Sequence, residues 1–278
     1  MTRIGFVDDD LNNFHADTYL KAIRGPLAGR GFTVAGCTAL QSDAGRTWAA
    51  ANETPYFEGP AQMAAEVDVF AVLAPSKRAT HFPLCERVLP LGKPTFVDKT
   101  FAPDPATAER IFQMADAHGV PVQSTSALRT TAIQGAVQKL SAPLTAVNVW
   151  AGGSTFDEYG VHPVEIAVSC LGPGVERLTR AGGEAQFELL VEFAGGRTAT
   201  INFNAGEYVP FRAALTTAKG TEVVGIDDQA LFTDAASAIL DFFEAGQALV
   251  PREETLAVMR LLEAAERPGC RTSWVSVG

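Results

Sequence analysis

In the first 125 residues five short β-rich runs alternate with helical patterns, and nothing else in the chain constrains its fold as strongly. The runs are "RIGFV" (3–7), "FTVAG" (32–36), "DVFAVLA" (68–74), "PTFV" (94–97) and "VPVQ" (120–123). They are compact and apolar instead of alternating, as expected of strands covered on both faces of a parallel sheet. The helix before the last run is marked at both ends. Asp104 suits the N-cap, Pro105 the first helical position and Gly119 the stop. Between them Ala108, Ile111, Phe112 and Ala115 recur at i, i+3, i+4 and i+7, giving one buried face. The pattern predicts an α/β domain, a Rossmann-like doubly wound parallel sheet, over residues 1–125.

After about residue 126 the grammar changes. "FELLVEFAGGRTATINF" (187–203) alternates Phe187, Leu189, Val191 and Phe193, turns at Gly195-Gly196, and alternates again through Ala199, Ile201 and Phe203. That is an antiparallel hairpin with one apolar face. The stretch "GEYVPFRAALTTAKGTEVVGI" (206–226) is expected to continue the sheet, and a closing helix near 253–265 sets Val258, Leu261, Leu262 and Ala265 on one side. Residues 126–278 therefore predict a second, α+β domain on a mainly antiparallel sheet. An open sheet with an apolar face would meet a copy of itself, so a homodimer or homotetramer is expected.

Composition narrows the partners. The net charge of −10 is spread along 278 residues with no basic stripe, which disfavours nucleic acid and anionic membrane and leaves a small molecule. No apolar run reaches the roughly 18 residues that span a bilayer, and "MTRIGFVDDD" lacks the features of a signal peptide, so a cytoplasmic location is expected. Cys37, Cys85, Cys170 and Cys270 form no CxxC pair and are expected as reduced thiols.

Several separated motifs carry a family resemblance. They are "APSKRATHFPLCERVLPLGKPTFVDKTFA" (74–102), "VQSTSALR" (122–129), "EYGVHPVEIAVSCLG" (158–172) and "ILDFFEAGQALVPREETLAVMRLLEAA" (239–265). In order and spacing they resemble the glucose–fructose oxidoreductase / inositol dehydrogenase (Gfo/Idh/MocA) family over nearly the whole chain. The resemblance implies hydride transfer between NAD or NADP and a secondary alcohol or carbonyl of a sugar, polyol or related compound. It implies Lys99 and His162 at the reacting carbon, with Glu158 beside the imidazole and Arg129 and Glu165 on the substrate. An imidazole of pKa about 6.5 can accept the hydroxyl proton, and an ammonium can steady the developing alkoxide. The implied dinucleotide contacts are Asp8, Asp10 and Leu11 in the opening turn, Thr38, then Pro75, Ser76 and His81, and Asp98. His81 and Arg129 also admit structural roles, in a loop and in an ion pair.

The sequence departs from the family at that opening turn. Where glycines would let backbone amides approach a pyrophosphate, it reads Asp8-Asp9-Asp10. A carboxylate about 5 Å from a phosphate costs roughly 3 kcal/mol at an effective dielectric near 20. A helix N-terminus returns only about 0.3–2 kcal/mol. Three outcomes stay open: the aspartates point away, a cation such as Mg²⁺ bridges them to the phosphate, or the turn no longer takes a dinucleotide. A metal site of Asp8, Asp10 and His15 matches no established spacing, and a helix-capping acidic turn is the preferred alternative. No acid follows the second strand at Thr38, which removes the usual ribose acceptor. In the later block "DKT" (98–100) stands for "EKP", and His15 goes with Asp98–Asp104 as a feature of a divergent branch. Two further possibilities follow: a cofactor-independent isomerase or lyase using the same pair, and a ligand-binding pseudoenzyme.

Overall fold

The computed structural model describes residues 1–75 and 78–278. They divide into two compact units, Met1–Thr125 with Phe232–Arg252, and Ser126–Leu231 with Glu253–Gly278. The first holds β1 (Thr2–Asp8), β2 (Phe32–Ala39), β3 (Val69–Val72), β4 (Thr95–Val97) and β5 (Val122–Gln123), all parallel in the order β2-β1-β3-β4-β5. A single parallel bridge, Cys37 to Tyr56, extends the sheet beyond β2. The strands are buried on both faces, as their unbroken apolar runs require. Helices α1 (Phe14–Arg24), α2 (Ser42–Ala51), α3 (Pro60–Met63), α4 (Arg78–Val88) and α5 (Pro105–Ala117) connect them. In α5 the Asp104 carboxylate accepts from the Thr107 amide at 2.7 Å, Pro105 opens the helix, and Ala108, Ile111, Phe112 and Ala115 are buried. The α/β class and the parallel sheet are as the sequence predicts.

The second unit is built on a seven-stranded sheet. Its strands are β6 (Leu144–Gly153), β7 (Val175–Gly182), β8 (Gln186–Phe193), β9 (Arg197–Ala205), β10 (Arg212–Thr217), β11 (Gly220–Gly225) and β12 (Val275–Ser276). They run in the order β11-β10-β6-β9-β8-β7-β12, antiparallel except for β6 beside β9. Phe187, Leu189, Val191 and Phe193 pair in register with Phe203, Ile201, Ala199 and Arg197, so the hairpin read from 187–203 is β8–β9. One face of the sheet is covered by α6 (Ala132–Gln138), α7 (Phe156–Tyr159) and α8 (Val161–Leu171), whose Val164, Ile166, Ala167 and Val168 join the core. The outer face differs from the apolar one on which self-association was expected. It carries Asn148, Glu188, Thr198, Thr200 and Asn202, with Trp150 and Leu190 as scattered large apolar groups.

Two helices close the chain, α9 (Leu231–Ala245) and α10 (Arg252–Glu266). The sequence predicts a second domain over residues 126–278, whereas Phe232–Arg252 packs into the first unit. Ile239, Leu240 and Phe243 of α9 meet Ile4, Phe6 and Tyr19 in one apolar interstice. Arg30 pairs with Asp241 and Glu244, both at 2.8 Å, and the Gln123 side-chain oxygen accepts from the Leu249 amide at 2.7 Å. From α10 onward Val258, Leu261, Leu262 and Ala265 belong to the second core, as expected. The four cysteines are free thiols, and burial pushes Cys37 and Cys85 up to about 12. Among the described residues no helix is long and apolar enough to cross a membrane.

Candidate functional site

The opening turn is a closed hydrogen-bonded knot. β1 ends at Asp8, which is 1% exposed. Its Oδ1 accepts from the Asp9 amide at 2.6 Å and its Oδ2 from Asn13 Nδ2 at 2.9 Å, while the amides of Ala74 and Asp10 also donate to it. Burial raises the Asp8 carboxyl above the ordinary range, and the bonds from Asn13 and the three amides restrain that rise. Asn13 works in both directions. Its side-chain oxygen caps α1 by accepting from the His15 and Ala16 amides at 3.1 and 3.0 Å. The Asp9 carboxylate accepts from Gln41 Nε2 at 2.8 Å. Leu11 takes φ of +61°, the left-handed region, with its side chain wholly buried.

The amides of Asp9 and Asp10 are therefore already bonded to Asp8, and those of His15 and Ala16 to Asn13. Folded in this way, the turn does not fit a pyrophosphate in the usual pose. Of the outcomes left open by the sequence, Asp8 does not point away from the turn's amides. His15, a candidate metal ligand with Asp8 and Asp10 in the sequence, binds Asp98.

That contact joins positions 83 residues apart. His15 Nδ1 is hydrogen-bonded to Asp98 Oδ2, and Asp98 Oδ1 accepts from the Lys99 amide at 2.8 Å. Asp98 follows β4 and is wholly buried. Burial alone would raise its carboxyl, but His15 and Lys99 outweigh it and hold the group below the usual carboxylate range. The His15 ring is edged by Tyr19 and Phe232 at 5.5 and 5.7 Å, and its Nε2 has no partner among the described residues. Lys99 is 7% exposed, and its ammonium makes no hydrogen bond or salt bridge among the described residues. The Lys99–Thr100 peptide is cis.

The other expected dinucleotide contacts lie differently. His81 is fully buried, with Nε2 2.8 Å from the Leu73 carbonyl and Nδ1 3.2 Å from that of Phe101. It stitches the end of β3 to the segment after β4, the structural role, and has no ring nitrogen left for a cofactor. Thr38 is buried opposite Val7 near the end of β2. Pro75 is half-buried after β3, and Ser76 lies outside the described residues.

In the second unit His162 sits in the first turn of α8, half-buried, with Nδ1 2.7 Å from Ser126 Oγ. The Leu128 amide donates to the same oxygen at 3.1 Å. Tyr159 and Phe211 flank the ring, each 5.8 Å away between centroids. Gly153 is needed for this, since a Cβ there would stand 2.2 Å from Tyr159 Cγ. Glu158, on α7, accepts from Ser154 Oγ at 2.7 Å. Arg129 and Glu165 are engaged with one another, Nη1 to Oε1 at 3.3 Å, and Arg129 Nη2 also binds Glu254 on α10. Burial raises the Glu165 carboxyl, and Arg129 opposes the rise. This network accounts for both residues without a ligand. Sequence reasoning did not single out Ser126, Asn13, Gln41 or Glu254. Ser126 lies inside the quoted "VQSTSALR" and Glu254 inside the quoted 239–265 segment.

The first unit is a doubly wound sheet of the dinucleotide-binding type, with a lysine at the carboxyl end of β4. Residues 13–126 match the Gfo/Idh/MocA model, described as an oxidoreductase family with an NAD-binding Rossmann fold. The match lies almost wholly within the first unit and makes that part of the chain similar to the family. No curated protein matches it in sequence. Among solved structures it is similar to a putative myo-inositol dehydrogenase from Sinorhizobium meliloti 1021, at 15% identity and TM-score 0.83, covering 100% of both chains. It is also similar to scyllo-inositol dehydrogenase from Lactobacillus casei with bound NAD(H) and scyllo-inositol, at 14% identity and TM-score 0.80, covering 100% of this chain and 99% of the other. A third is an oxidoreductase from Agrobacterium radiobacter in complex with NAD⁺, L-tartaric acid and magnesium, at 14% identity and TM-score 0.78, covering 99% and 98%. At these identities the likeness is one of fold.

Proposed function

We propose that the chain is an oxidoreductase that exchanges a hydride between NAD or NADP and a secondary alcohol or carbonyl of a sugar, polyol or related small compound. The observation that carries this reading is Lys99. It is a buried lysine beside the carboxyl end of β4, within the family-matched segment, and its ammonium has no bonded partner among the described residues. A buried ammonium with no hydrogen-bond acceptor keeps its donors for a ligand, and in open α/β sheets ligands bind at the carboxyl ends of the strands. Lys99 would steady the oxygen of the reacting carbinol. His162, in the tautomer whose Nδ1–H donates to Ser126, would offer Nε2 to the hydroxyl proton. Glu158 is the companion carboxylate, and Arg129 with Glu165 would stiffen the wall behind Ser126, whose amide donates to Glu165. The solved inositol dehydrogenases of the same fold favour polyols as the first substrates to offer.

The test is a panel of polyols, inositols and aldonic acids given to the protein with NAD⁺ or NADP⁺. The expected outcome is oxidation that stops when both dinucleotides are withheld. Turnover that persists in stripped protein would contradict it and favour the second reading, a cofactor-independent isomerase or lyase. The Asp8 knot favours that second reading, because proton transfer by the same pair needs no pyrophosphate site.

A further inference from the structure

We propose that Asp8 is a built-in occupant of the phosphate-binding turn, so that a ligand bearing a pyrophosphate enters only in exchange for its carboxylate. The inference rests on the reading of the N-terminal unit as a dinucleotide fold. Three observations carry it.

The first is place. Asp8 ends β1, whose neighbours β2 and β3 are reached in opposite directions from it, and the crevice at such a strand end is where a doubly wound sheet binds its ligand. The second is occupancy. Asp8 accepts from the amides of Asp9, Asp10 and Ala74, and from Asn13 Nδ2, so one carboxylate collects the converging donors that an anion would use. The third is that a second set of donors is also engaged. The His15 and Ala16 amides in the first turn of α1 are held by Asn13 Oδ1, and Asn13 is itself tied to Asp8. Moving Asp8 aside would therefore loosen the helix cap and release amides from both sides of the turn at once.

A phosphate placed at this turn would have to take these amides while standing beside the displaced carboxylate. Both requirements weaken binding, and both vanish when the side chain is neutral or absent. Asp8 thus sets the anion selectivity of the turn. Neutral ligands are unaffected by it, and diphosphates are disfavoured.

The experiment is titration of the full, cofactor-stripped chain with two probes. NADH is followed by its fluorescence. ADP, which carries the diphosphate without the nicotinamide, is followed by calorimetry. The proteins are wild type, Asp8→Asn, Asp8→Gly and Asp10→Asn, each checked by thermal unfolding, and Asp8→Asn stands alone if the glycine variant does not fold. Asp8→Asn and Asp8→Gly are expected to bind both probes tighter by a factor on the order of a hundred, the effect of one unit charge about 5 Å away at partial screening. Asp10→Asn removes the same charge from the same turn and leaves the Asp8 bonds in place, so a distinctly smaller gain is expected. Equal gains for Asp8→Asn and Asp10→Asn would overturn the proposal in favour of bulk charge. Tight NADH binding by wild type, unchanged in the Asp8 variants, would overturn it and leave the dinucleotide reading standing. A gain for ADP without one for NADH would support the proposal and contradict the dinucleotide reading. No gain for either probe in any variant would overturn the proposal.

Discussion

Replacing Lys99 by Met is expected to lower kcat by a factor on the order of 10²–10⁴ on any alcohol the protein oxidises, with KM changed far less. Methionine keeps the length and apolar stem of the lysine and removes only the charge. Lys99 is buried yet makes no hydrogen bond or salt bridge among the described residues, so its ammonium is not holding the fold together through such a bond. What it does have is Asp98 next in sequence, a carboxylate kept ionised by His15 and Lys99 against its burial. Thermal unfolding of the variant should stay close to wild type while steady-state turnover collapses. Unchanged kcat, or loss of turnover that follows loss of fold, would remove Lys99 from the chemistry.

Replacing Arg129 by Ala is expected to destabilise the second unit by about 3–5 kcal/mol at neutral pH, because it leaves the buried Glu165 without its counter-ion. In a unit of this size that is a fall in Tm of roughly 10 °C. The pH dependence has a definite sign. Burial already raises the Glu165 carboxyl with Arg129 present, and removing the guanidinium raises it further. A carboxyl raised in the folded state favours the fold below its unfolded pKa, and that advantage is lost as pH climbs through the folded value. The deficit of the variant should therefore shrink in mild acid, where Glu165 becomes neutral. Arg129→Lys should rescue only part of the loss, since one ammonium cannot span both Glu165 and Glu254. Calorimetric scans across pH measure this, and a pH-independent deficit would mean that the network is not what the substitution breaks.

The strands of the first unit were legible because strands buried on both faces are uninterrupted apolar runs, and α5 was legible because its cap, proline and stop are all local. In the second unit β8 and β9 could be read from clean alternation. β7 could not, since "VERLTRAG" turns only Leu178 fully inward among several charges. The allegiance of residues 232–252 was hidden for another reason: an amphipathic helix announces an apolar face, not which core receives it. At the site, Lys99 and His162 came from a resemblance of motifs. The partners that give them geometry did not, because Ser126 reaches His162 across 36 positions and His15 reaches Asp98 across 83. The acidic turn was legible as an electrostatic conflict. Its resolution depends on which way one carboxylate folds, and only the three-dimensional structure carries that.

The most direct test of the central claim follows a deuterium atom. A polyol deuterated at its carbinol carbons is turned over with NAD⁺ or NADP⁺, and the reduced nicotinamide is examined by mass spectrometry. Hydride transfer predicts that the label arrives in the nicotinamide. Label found in solvent water, with product formed and the dinucleotide still oxidised, would mean that the carbon gives up a proton, and the oxidoreductase account would be contradicted.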